Sequence, residues 1–221
     1  MRCLVVLLAT LAACGGHDET PPPAPPEEAP APPTETPAEA PLPELVSRDR
    51  SLMGTVFVIQ AQAPEAVAGP AIERAFDEIA RLEALLSEWR EDSEISRVNA
   101  AAGRSPVRVS EDVFRVVEAG VNVSRWSEGA FDLSWAALFG AYDFRPGRQR
   151  IPELREIQPK LRLIDHRQIE LDADARTVFL ERRGMVIGTG GIAKGYALDR
   201  AGAILRAAGI EHYMLFGGGQ V

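Results

Sequence analysis

The chain has 221 residues, a formal net charge of −8 and two cysteines. Residues 1–47 carry one arginine against seven acids, a net of −6, which leaves −2 for residues 48–221. No basic patch suggests nucleic-acid binding, and beyond the amino terminus no apolar run is long enough to cross a bilayer. The composition therefore argues against a nucleic-acid-binding protein and against a protein with several membrane spans.

The amino terminus predicts secretion and lipid attachment. Arg2 precedes the apolar run 3–13, which has the length of a secretory signal and is too short to span a bilayer. Residues 11–14 read Leu-Ala-Ala-Cys and look like a bacterial lipobox, so we expect residues 1–13 to be removed and Cys14 to be lipidated. The alternative is an ordinary signal peptide with an incidental cysteine. After lipidation no thiol remains for a disulfide, metal or redox role.

Residues 14–47 are predicted to form a disordered tether. Eleven of the 17 prolines lie in residues 15–47, together with seven acids and no lysine or arginine. Such a segment cannot build a core and is expected to stay extended, as a spacer without sequence-specific partners. The remaining residues, 48–221, are enough for a single domain with a substantial core.

The first predicted elements of this domain are a strand and two helices. Residues 55–61 are rich in Val, Ile and Phe and predict a strand. Residues 70–89 predict a helix, because apolar side chains recur at steps of three and four and Pro70 suits a first turn. Ser110 is expected to cap the next helix, which should end near Trp126.

The second half of the domain mixes strands with a helix. Residues 167–171 and 177–181 flank a turn-prone Asp-Ala-Asp-Ala segment and predict an antiparallel hairpin, which leads into an apolar strand at 185–187. A helix is predicted over 193–208, followed by a strand at 213–216. Because hairpins and helices alternate irregularly, the predicted fold class is α+β.

The segment GTGGIAKGYALD, residues 188–199, is the strongest functional signal. Its glycines let backbone N–H groups approach an anion, the start of the following helix adds partial positive charge, and Lys194 adds a full charge. The leading hypothesis is therefore phosphate binding. The alternative is a glycine turn that serves only close helix packing.

Two nucleotide motifs compete for this loop. A Walker loop is excluded because it needs Gly before the lysine and Ser or Thr after it, whereas Lys194 has Ala before it and Gly after it. The dinucleotide fingerprint is met in relaxed form by Gly188, Gly190 and Ala193, with Glu211 at about the right distance. However, Glu211 precedes a predicted strand instead of closing one. A Rossmann-type NAD(P)-dependent oxidoreductase therefore remains the second interpretation.

Four motifs in chain order point to one family: LMGTVFVI at 52–59, LLSEWREDSEISRVN at 85–99, GAFD at 129–132 and GGIAKGYALD at 190–199. Together they resemble the ApbE-type FAD:protein FMN transferases, and the resemblance covers essentially residues 51–221. It implies a single T-fold-like α+β domain with a mixed or antiparallel sheet and packed helices. It also implies binding of FAD with Mg²⁺ and transfer of the FMN part to a threonine hydroxyl of another protein, with release of AMP.

The resemblance also implies a set of site residues. The positions that match its flavin contacts are Met53, Trp89, Ala130, Phe131, Asp132, Gly188 and Lys194. The backbone carbonyl of Gly191 matches a metal ligand, and such a hard oxygen donor suits Mg²⁺. Trp89 would cover the isoalloxazine or adenine face, and Asp132 would accept hydrogen bonds from polar edges of the nucleotide. Taken alone, Trp89 would be a packing residue at a helix end and Asp132 a turn or cap residue.

No catalytic base is assigned from the sequence. His17, His166 and His212 are scattered and lack a ligand-like partner spacing. Glu94 and Asn99 lie in a predicted short capped turn and are expected to be structural or capping residues.

Some positions depart from the family pattern. Many members carry an acid two residues before the glycine pair, where this chain has Gly188, and the terminal FGGGQV lacks the Asp often found after the late glycines. The chain ends at Val221, before the region that supplies the family's Asp and Ser or Thr metal ligands, so we expect a C-terminally incomplete domain. The alternative function is then a catalytically inactive flavin-binding lipoprotein.

The resemblance and the lipobox together predict location and partners. Many members of the family are periplasmic lipoproteins, so we expect a lipid-anchored protein of the bacterial cell envelope that faces the periplasm. Its expected partner is an acceptor protein with a flavinylated threonine, such as a periplasm-facing redox subunit. No nucleic-acid partner is expected.

Overall fold

A computed structural model of the chain describes residues 44–142 and 149–219. The predicted signal, Cys14 and most of the predicted tether lie outside the described residues. Within the described residues no helix is long and apolar enough to cross a membrane.

Strands and helices alternate irregularly along the described residues. The strands are β1 (Leu45–Leu52), β2 (Thr55–Gln62), β3 (Val107–Arg108), β4 (Ile169–Asp172), β5 (Thr177–Leu180) and β6 (Tyr213–Gly217). The α-helices are α1 (Glu65–Leu86), α2 (Glu94–Ala100), α3 (Glu111–Trp126), α4 (Leu154–Leu161) and α5 (Ala193–Ala207). Two 3₁₀ helices cover Leu133–Leu138 and His166–Gln168.

The strands form two antiparallel sheets. One has the order β1-β2-β6 and the other the order β3-β5-β4. This confirms the α+β class and the predicted hairpin, which is formed by β4 and β5. The Rossmann interpretation is wrong, because that fold needs parallel strands joined by helical crossovers and no strand pair in the described residues is parallel.

Strand β1 was assigned in part to the tether by the sequence analysis, which began the domain at residue 48. The structure pairs Leu45 with Gln62 and Ser47 with Gln60, so the ordered domain begins at least three residues earlier. The strand alternates in burial, with Val46 facing the core. Further along the same face Arg48 pairs with acids of α1, which ties this edge strand to the helix.

Helix α1 differs from its prediction at both ends. It begins at Glu65, so Pro70 lies inside the helix and not at its first position. It ends at Leu86 because Ser87 is extended, and Trp89 therefore lies in the following loop. The predicted apolar stripe is confirmed as core: its buried side chains are Ile72, Phe76, Ile79, Leu82 and Leu86.

The other helices agree more closely with the sequence analysis. The Ser110 side chain caps α3, which ends at Trp126 as predicted. Helix α5 covers Ala193–Ala207, close to the predicted range. Helix α4 and the 3₁₀ helix Leu133–Leu138 were not predicted, since α4 buries no side chain and the 3₁₀ helix is too short for a periodic signal.

Helix α1 lies at the centre of the packing. It contacts α5, the strands β1 and β2, and the helices α2 and α3. A second close contact joins α3 to the 3₁₀ helix, where a Cβ on Gly120 would lie 2.5 Å from Cδ1 of Leu133. These contacts hold the C-terminal end of α1 beside the glycine-rich segment that precedes α5.

Candidate functional site

The β1–β2 turn, the C-terminal end of α1 and the start of α5 enclose a cleft with a volume of about 430 Å³. Its lining residues are Met53, Gly54, Glu83, Leu86, Ser87, Glu88, Trp89, Arg90, Thr189, Gly190, Ala193 and Lys194. Three predicted flavin contacts that are far apart in sequence, Met53, Trp89 and Lys194, meet in this cleft.

Met53 enters the cleft from a tight hairpin turn. Met53 and Gly54 have φ angles of 49° and 71°, and two central residues with positive φ are typical of a type I′ turn. Glycine adopts this conformation freely, whereas methionine does so at an energetic cost. The turn nevertheless places a flexible apolar side chain in the wall of the cleft.

The glycine-rich segment is held in place by contacts from three other elements. The Asn99 side-chain amide donates to the Ile187 carbonyl at 3.0 Å and accepts from the Ile187 N–H at 2.8 Å. The Gly188 N–H donates to the Leu133 carbonyl at 3.0 Å, and the buried Thr189 hydroxyl donates to the Leu86 carbonyl at 2.7 Å. The segment is therefore fixed before any ligand binds.

Asn99 also explains why residues 185–187 do not form the predicted strand. In the described residues this segment has no strand neighbour, and Asn99 supplies the donor and acceptor that a neighbouring strand would give Ile187. Glu94 has a comparable task, since its carboxylate accepts from the Ser110 N–H at 2.7 Å. The structural roles expected for Glu94 and Asn99 are confirmed.

Two cations line the cleft: Arg90 pairs with Asp92, whereas Lys194 has no such partner among the described residues. It is the second residue of α5, half-buried, and its methylene groups lie against Gly218, where a Cβ would be 3.3 Å from the lysine Cδ. No residue of the described ranges forms a hydrogen bond or ion pair with its ammonium group, and the first turn of α5 contains no acid. A helix start carries partial positive charge, so a lysine here is favourable only when an anion lies nearby.

Glu88 is an unpaired anion of the same cleft. A Cβ built on Gly188 would lie 3.5 Å from its Oε1, and one built on Gly190 would lie 3.8 Å from the same atom. No described residue donates a hydrogen bond to this carboxylate. The carboxylate beside Gly188 thus comes from the loop after α1.

The aromatic side of the cleft is built around Trp89. This side chain is 75% exposed and stacks on Phe139, with ring centroids 4.8 Å apart and an interplanar angle of 27°. Trp135 meets Phe139 edge-on at 5.0 Å. The Lys160 ammonium group holds this region by donating to the Ala137 and Phe139 carbonyls at 2.9 and 3.2 Å.

Trp89 is therefore an exposed loop residue, so its predicted place at a helix end is wrong, although its ring does pack on Phe139. An exposed ring supported from behind by Phe139 is suited to stacking on a planar ligand. The predicted flavin contact of Trp89 stays a prediction.

The GAFD residues lie behind the glycine-rich segment and do not line the cleft. Ala130 is exposed, and Phe131 packs so closely that its Cε2 would be 2.8 Å from a Cβ on Gly191. This contact leaves no room for a side chain at Gly191, whatever the role of its backbone carbonyl. The flavin contacts predicted for Ala130 and Phe131 stay predictions.

The Asp132 carboxylate is already satisfied within the protein. Oδ1 accepts from the Ser134 N–H at 2.8 Å and hydroxyl at 2.6 Å, which caps the 3₁₀ helix Leu133–Leu138. Oδ2 accepts from the His166 N–H at 2.8 Å and lies 3.3 Å from Nδ1 of the same residue. The structure thus shows the cap role, while a contact from Asp132 to flavin stays a prediction.

The Asp132–His166 pair was missed by the sequence analysis. The two residues are 34 positions apart, so no local sequence pattern indicates their contact. The pair docks the segment before β4 onto the 3₁₀ helix. It does not line the cleft, so it gives no reason to assign a base.

The described residues do not form a metal centre by themselves. Among them no group of three or more His, Cys, Asp or Glu side chains is arranged to hold a metal ion. The Gly191 carbonyl and the Glu88 carboxylate fall short of the six oxygen ligands that Mg²⁺ requires. Magnesium binding through Gly191 stays a prediction.

Comparison with known proteins identifies the family. The model of the ApbE family matches residues 53–221. The chain belongs to the ApbE family. This confirms the resemblance seen in the four sequence motifs.

Curated relatives of this ApbE chain are FAD:protein FMN transferases. The protein of Klebsiella pneumoniae (strain 342) is 33% identical over 171 residues, which are 77% of this chain and 53% of the relative. The protein of Treponema pallidum (strain Nichols) is 28% identical over 182 residues, or 79% of this chain and 50% of the relative. The chain spans about half the length of these relatives.

Solved structures of ApbE proteins share the fold. The flavin transferase ApbE from Vibrio cholerae is 25% identical with a TM-score of 0.70, and the match covers 81% of this chain and 58% of that protein. The ApbE protein from Thermotoga maritima has a TM-score of 0.72 at 24% identity, over 79% of this chain and 57% of that protein, and supports the fold alone.

Proposed function

We propose that this chain binds FAD in the cleft and serves the transfer of its FMN part to a threonine hydroxyl of an acceptor protein. The observation that carries the proposal is the unpaired ammonium group of Lys194 at the start of α5, beside a rigid glycine-rich segment. This arrangement suits a diphosphate, because helix-start N–H groups and a lysine together attract phosphate oxygens. Family membership supplies the class of reaction.

The transfer needs charge neutralisation more than covalent help from the protein. The threonine oxygen forms a bond to the phosphorus of the FMN half, the bond from that phosphorus to the bridging oxygen breaks so that this oxygen leaves with AMP, and the hydroxyl proton passes to solvent water. Negative charge is spread over the phosphoryl oxygens during this exchange, and a positioned cation stabilises it. In this proposal Lys194 provides that cation and the fixed glycine segment orients the diphosphate.

The walls of the cleft suit the rest of the dinucleotide. Trp89 offers an exposed ring on which an aromatic ring of FAD can stack, and Met53 adds a polarizable side chain to the lining of the same cleft. Both residues are carried by short loops next to well-packed elements, so their positions are set by β1, β2 and α1.

Magnesium is included in the proposal only because the ApbE resemblance implies it. When bound, Mg²⁺ would neutralise charge on the diphosphate. The acidic side chains that line the cleft are Glu83 and Glu88, and the Gly191 carbonyl is the metal ligand that the resemblance implies. A test of the function must therefore vary the magnesium concentration.

The proposed location is the periplasmic side of the bacterial cell envelope. Cys14 would carry the lipid anchor, and the proline-rich residues 15–43 would separate the domain from the membrane surface. The proposed acceptor is a periplasm-facing redox subunit with a threonine that receives FMN. Labelling cells with radioactive palmitate tests the anchor, and incorporation that persists in a Cys14→Ala variant would contradict it.

The transfer is tested by mixing the 221-residue chain with FAD, Mg²⁺ and an acceptor domain that bears the threonine. We expect covalent flavin on the acceptor by mass spectrometry, with AMP released in equal amount and no product when Mg²⁺ is chelated. An acceptor with valine in place of the threonine serves as the matched control. Adduct formation on that control would show that the threonine is not the site.

A catalytically inactive flavin-binding lipoprotein is the second candidate. It is favoured by the lack of a metal-binding group among the described residues. It predicts FAD binding that does not change with Mg²⁺ and no release of AMP. The same experiment distinguishes the two candidates.

A further inference from the structure

Two acidic side chains line the cleft, Glu83 on α1 and Glu88, and Glu88 is the one that lies beside the glycine-rich segment. It is half-buried in the loop after α1, and its carboxylate faces Gly188 and Gly190. No described residue forms a hydrogen bond or ion pair with it. The acids on the outer face of α1 behave differently, since Glu65, Glu73 and Glu78 each pair with an arginine.

A half-buried carboxylate without a partner is costly, because it gives up part of its hydration without a compensating hydrogen bond. Its position also restricts where an anion can bind. A phosphate placed against Gly188 would be repelled by Glu88, whereas a phosphate beside Lys194 would be attracted. The cleft therefore offers a position for an anion, beside Lys194, and a separate position for a hydrogen-bond donor, beside Glu88.

We infer that Glu88 accepts a hydrogen bond from an uncharged N–H or O–H group of the dinucleotide and so fixes the direction in which FAD lies in the cleft. The inference rests on the proposed function and adds a specificity-determining residue to it. FAD offers such donors on both sides of its diphosphate: the ring N–H and ribityl hydroxyls of the flavin half, and the ribose hydroxyls and amino group of the adenosine half.

Gly188 keeps the space for this contact open. A Cβ at this position would lie 3.1 Å from the Ala136 Cβ and 3.5 Å from Oε1 of Glu88. Any longer side chain at residue 188 would compete with the Glu88 carboxylate. The glycine therefore leaves room for the Glu88 carboxylate, although the two residues are 100 positions apart in the chain.

The inference is tested by titrating the 221-residue chain with FAD, FMN and ADP by calorimetry. The variants are Glu88→Ala, which removes the acceptor, and Glu88→Gln, which keeps an acceptor oxygen without the charge. Glu91→Ala is the matched control, because Glu91 is an exposed glutamate outside the cleft. Thermal unfolding of each variant checks that the fold is retained.

We expect Glu88→Ala to weaken FAD binding by about tenfold or more, as expected for loss of a hydrogen bond to a charged group. Glu88→Gln should weaken it less, and Glu91→Ala should bind like the parent. A loss seen with FMN and not with ADP places the donor in the flavin half. A loss seen with ADP and not with FMN places it in the adenosine half.

Three outcomes would overturn the inference. Glu88→Ala could bind FAD as tightly as the parent, or more tightly, in which case the carboxylate makes no favourable contact. An equal loss for FMN and ADP would also contradict it, because Glu88 reaches only one half of the ligand. If the parent itself shows no FAD binding, the proposed function fails together with the inference, whereas an intact parent with an unchanged variant overturns the inference alone.

Discussion

Helix α5 contributes to two regions of the molecule: in one the charged side chains are paired with each other, and in the other they are not. In the first region, which we call the ion-pair cluster, every charge has a protein partner; its members are Glu78, Arg81, Asp112, Tyr196 and Arg200. In the cleft, two residues before Tyr196, Lys194 has no described partner, and neither has Glu88. The same helix thus contributes paired charges to the fold and an unpaired charge to the site.

The ion-pair cluster ties three helices together. Arg81 of α1 lies 2.7 Å from Asp112 of α3, and the Tyr196 hydroxyl of α5 donates to the same carboxylate at 2.6 Å. The hydrogen bond from Arg81 lowers the pKa of Glu78 in spite of partial burial. Burial opposes ionisation of Asp112, but the hydrogen bonds from Tyr196 and Arg81 outweigh it and its pKa is also lowered.

Stability and ligand binding therefore depend on different charged residues in this chain. Changes in the ion-pair cluster should lower the free energy of unfolding and leave FAD affinity nearly unchanged. Changes to the unpaired charges of the cleft should do the reverse. A residue that supports the cleft from behind should affect both.

The largest expected effect is that of Asn99→Ala, which should lower both the free energy of unfolding and the affinity for FAD. The substitution leaves the Ile187 N–H and carbonyl without their hydrogen bonds, and we expect a loss of about 2 to 4 kcal/mol in the free energy of unfolding. FAD affinity should fall as well, because the glycine-rich segment loses its support. Urea unfolding and FAD titration measure the two effects.

Asn122→Ala is the matched control for this prediction. Its side chain makes a surface contact of 3.4 Å to Arg125 and should contribute little to stability. If Asn99→Ala unfolds at the same urea concentration as this control, the glycine-rich segment does not depend on Asn99.

Lys194→Gln should change binding and spare the fold. Loss of a charged hydrogen-bond donor to phosphate is expected to cost about 1.5 to 3 kcal/mol of binding, or about 10-fold to 100-fold in Kd for FAD. The free energy of unfolding should stay the same or rise slightly, because a cation is removed from the positive end of α5. Calorimetric titration and urea unfolding of the same samples give both values.

Arg74→Gln controls for the loss of one positive charge. Arg74 is exposed on α1, away from the lining of the cleft, and has no ion pair among the described residues. An equal loss of FAD affinity in both variants would mean that overall charge, and not the position of Lys194, attracts the ligand.

Tyr196→Phe changes the ion-pair cluster and should lower stability without weakening FAD binding. The variant removes the hydrogen bond to Asp112 and should lower the free energy of unfolding by about 1 kcal/mol. FAD affinity should stay within a factor of two or so of the parent, because Lys194 keeps its place at the start of α5. A large loss of affinity without a loss of stability would show that the ion-pair cluster acts on the cleft.

The smallest expected effect is a dependence of stability on alkaline pH. Burial and the hydrogen bond to Asp112 raise the pKa of Tyr196 to about 12, compared with about 10 for a free tyrosine. The folded state therefore retains this proton after the unfolded state has lost it. The contribution of Tyr196 to stability is complete below about pH 10 and is lost as the pH rises towards 12.

This dependence is measured by urea unfolding of the parent and of Tyr196→Phe at about pH 9 and about pH 11. The parent should lose more stability than the variant over this interval, since the other titrating groups are the same in both. Equal losses would show that the Tyr196 proton does not contribute.

Local signals accounted for the elements that the sequence predicted well. The Ser110 cap and the apolar face of α3 lie close together in the sequence, and together they define the helix. The same holds for the β4–β5 hairpin, where the Asp172 carboxylate accepts from the Ala175 N–H at 2.8 Å inside the turn. Such features depend on neighbours in the chain and can be predicted without knowledge of the fold.

Elements that depend on distant partners were missed or misplaced. The start of β1 at Leu45 directly follows a proline-rich segment, and only its pairing with β2 makes it a strand. The contacts of Asn99 with Ile187 join residues 88 positions apart. They replace a strand partner, which a local apolar run cannot reveal.

The candidate site shows the same division. Lys194 and its glycines were found because they are adjacent in sequence. Trp89 was placed at a helix end, although Ser87 ends α1 earlier and leaves the ring exposed beside the cleft. Glu88 gave no sequence signal, because its significance comes from its position near Gly188 in the folded chain.

The central claim is that the unpaired charges of the cleft bind the dinucleotide. Calorimetric titration of the 221-residue chain with FAD, at several magnesium concentrations, tests it most directly. We expect saturable binding at one site, strongest in the parent and weakened by Lys194→Gln. Heat changes that never saturate with the folded parent at any magnesium concentration would contradict it.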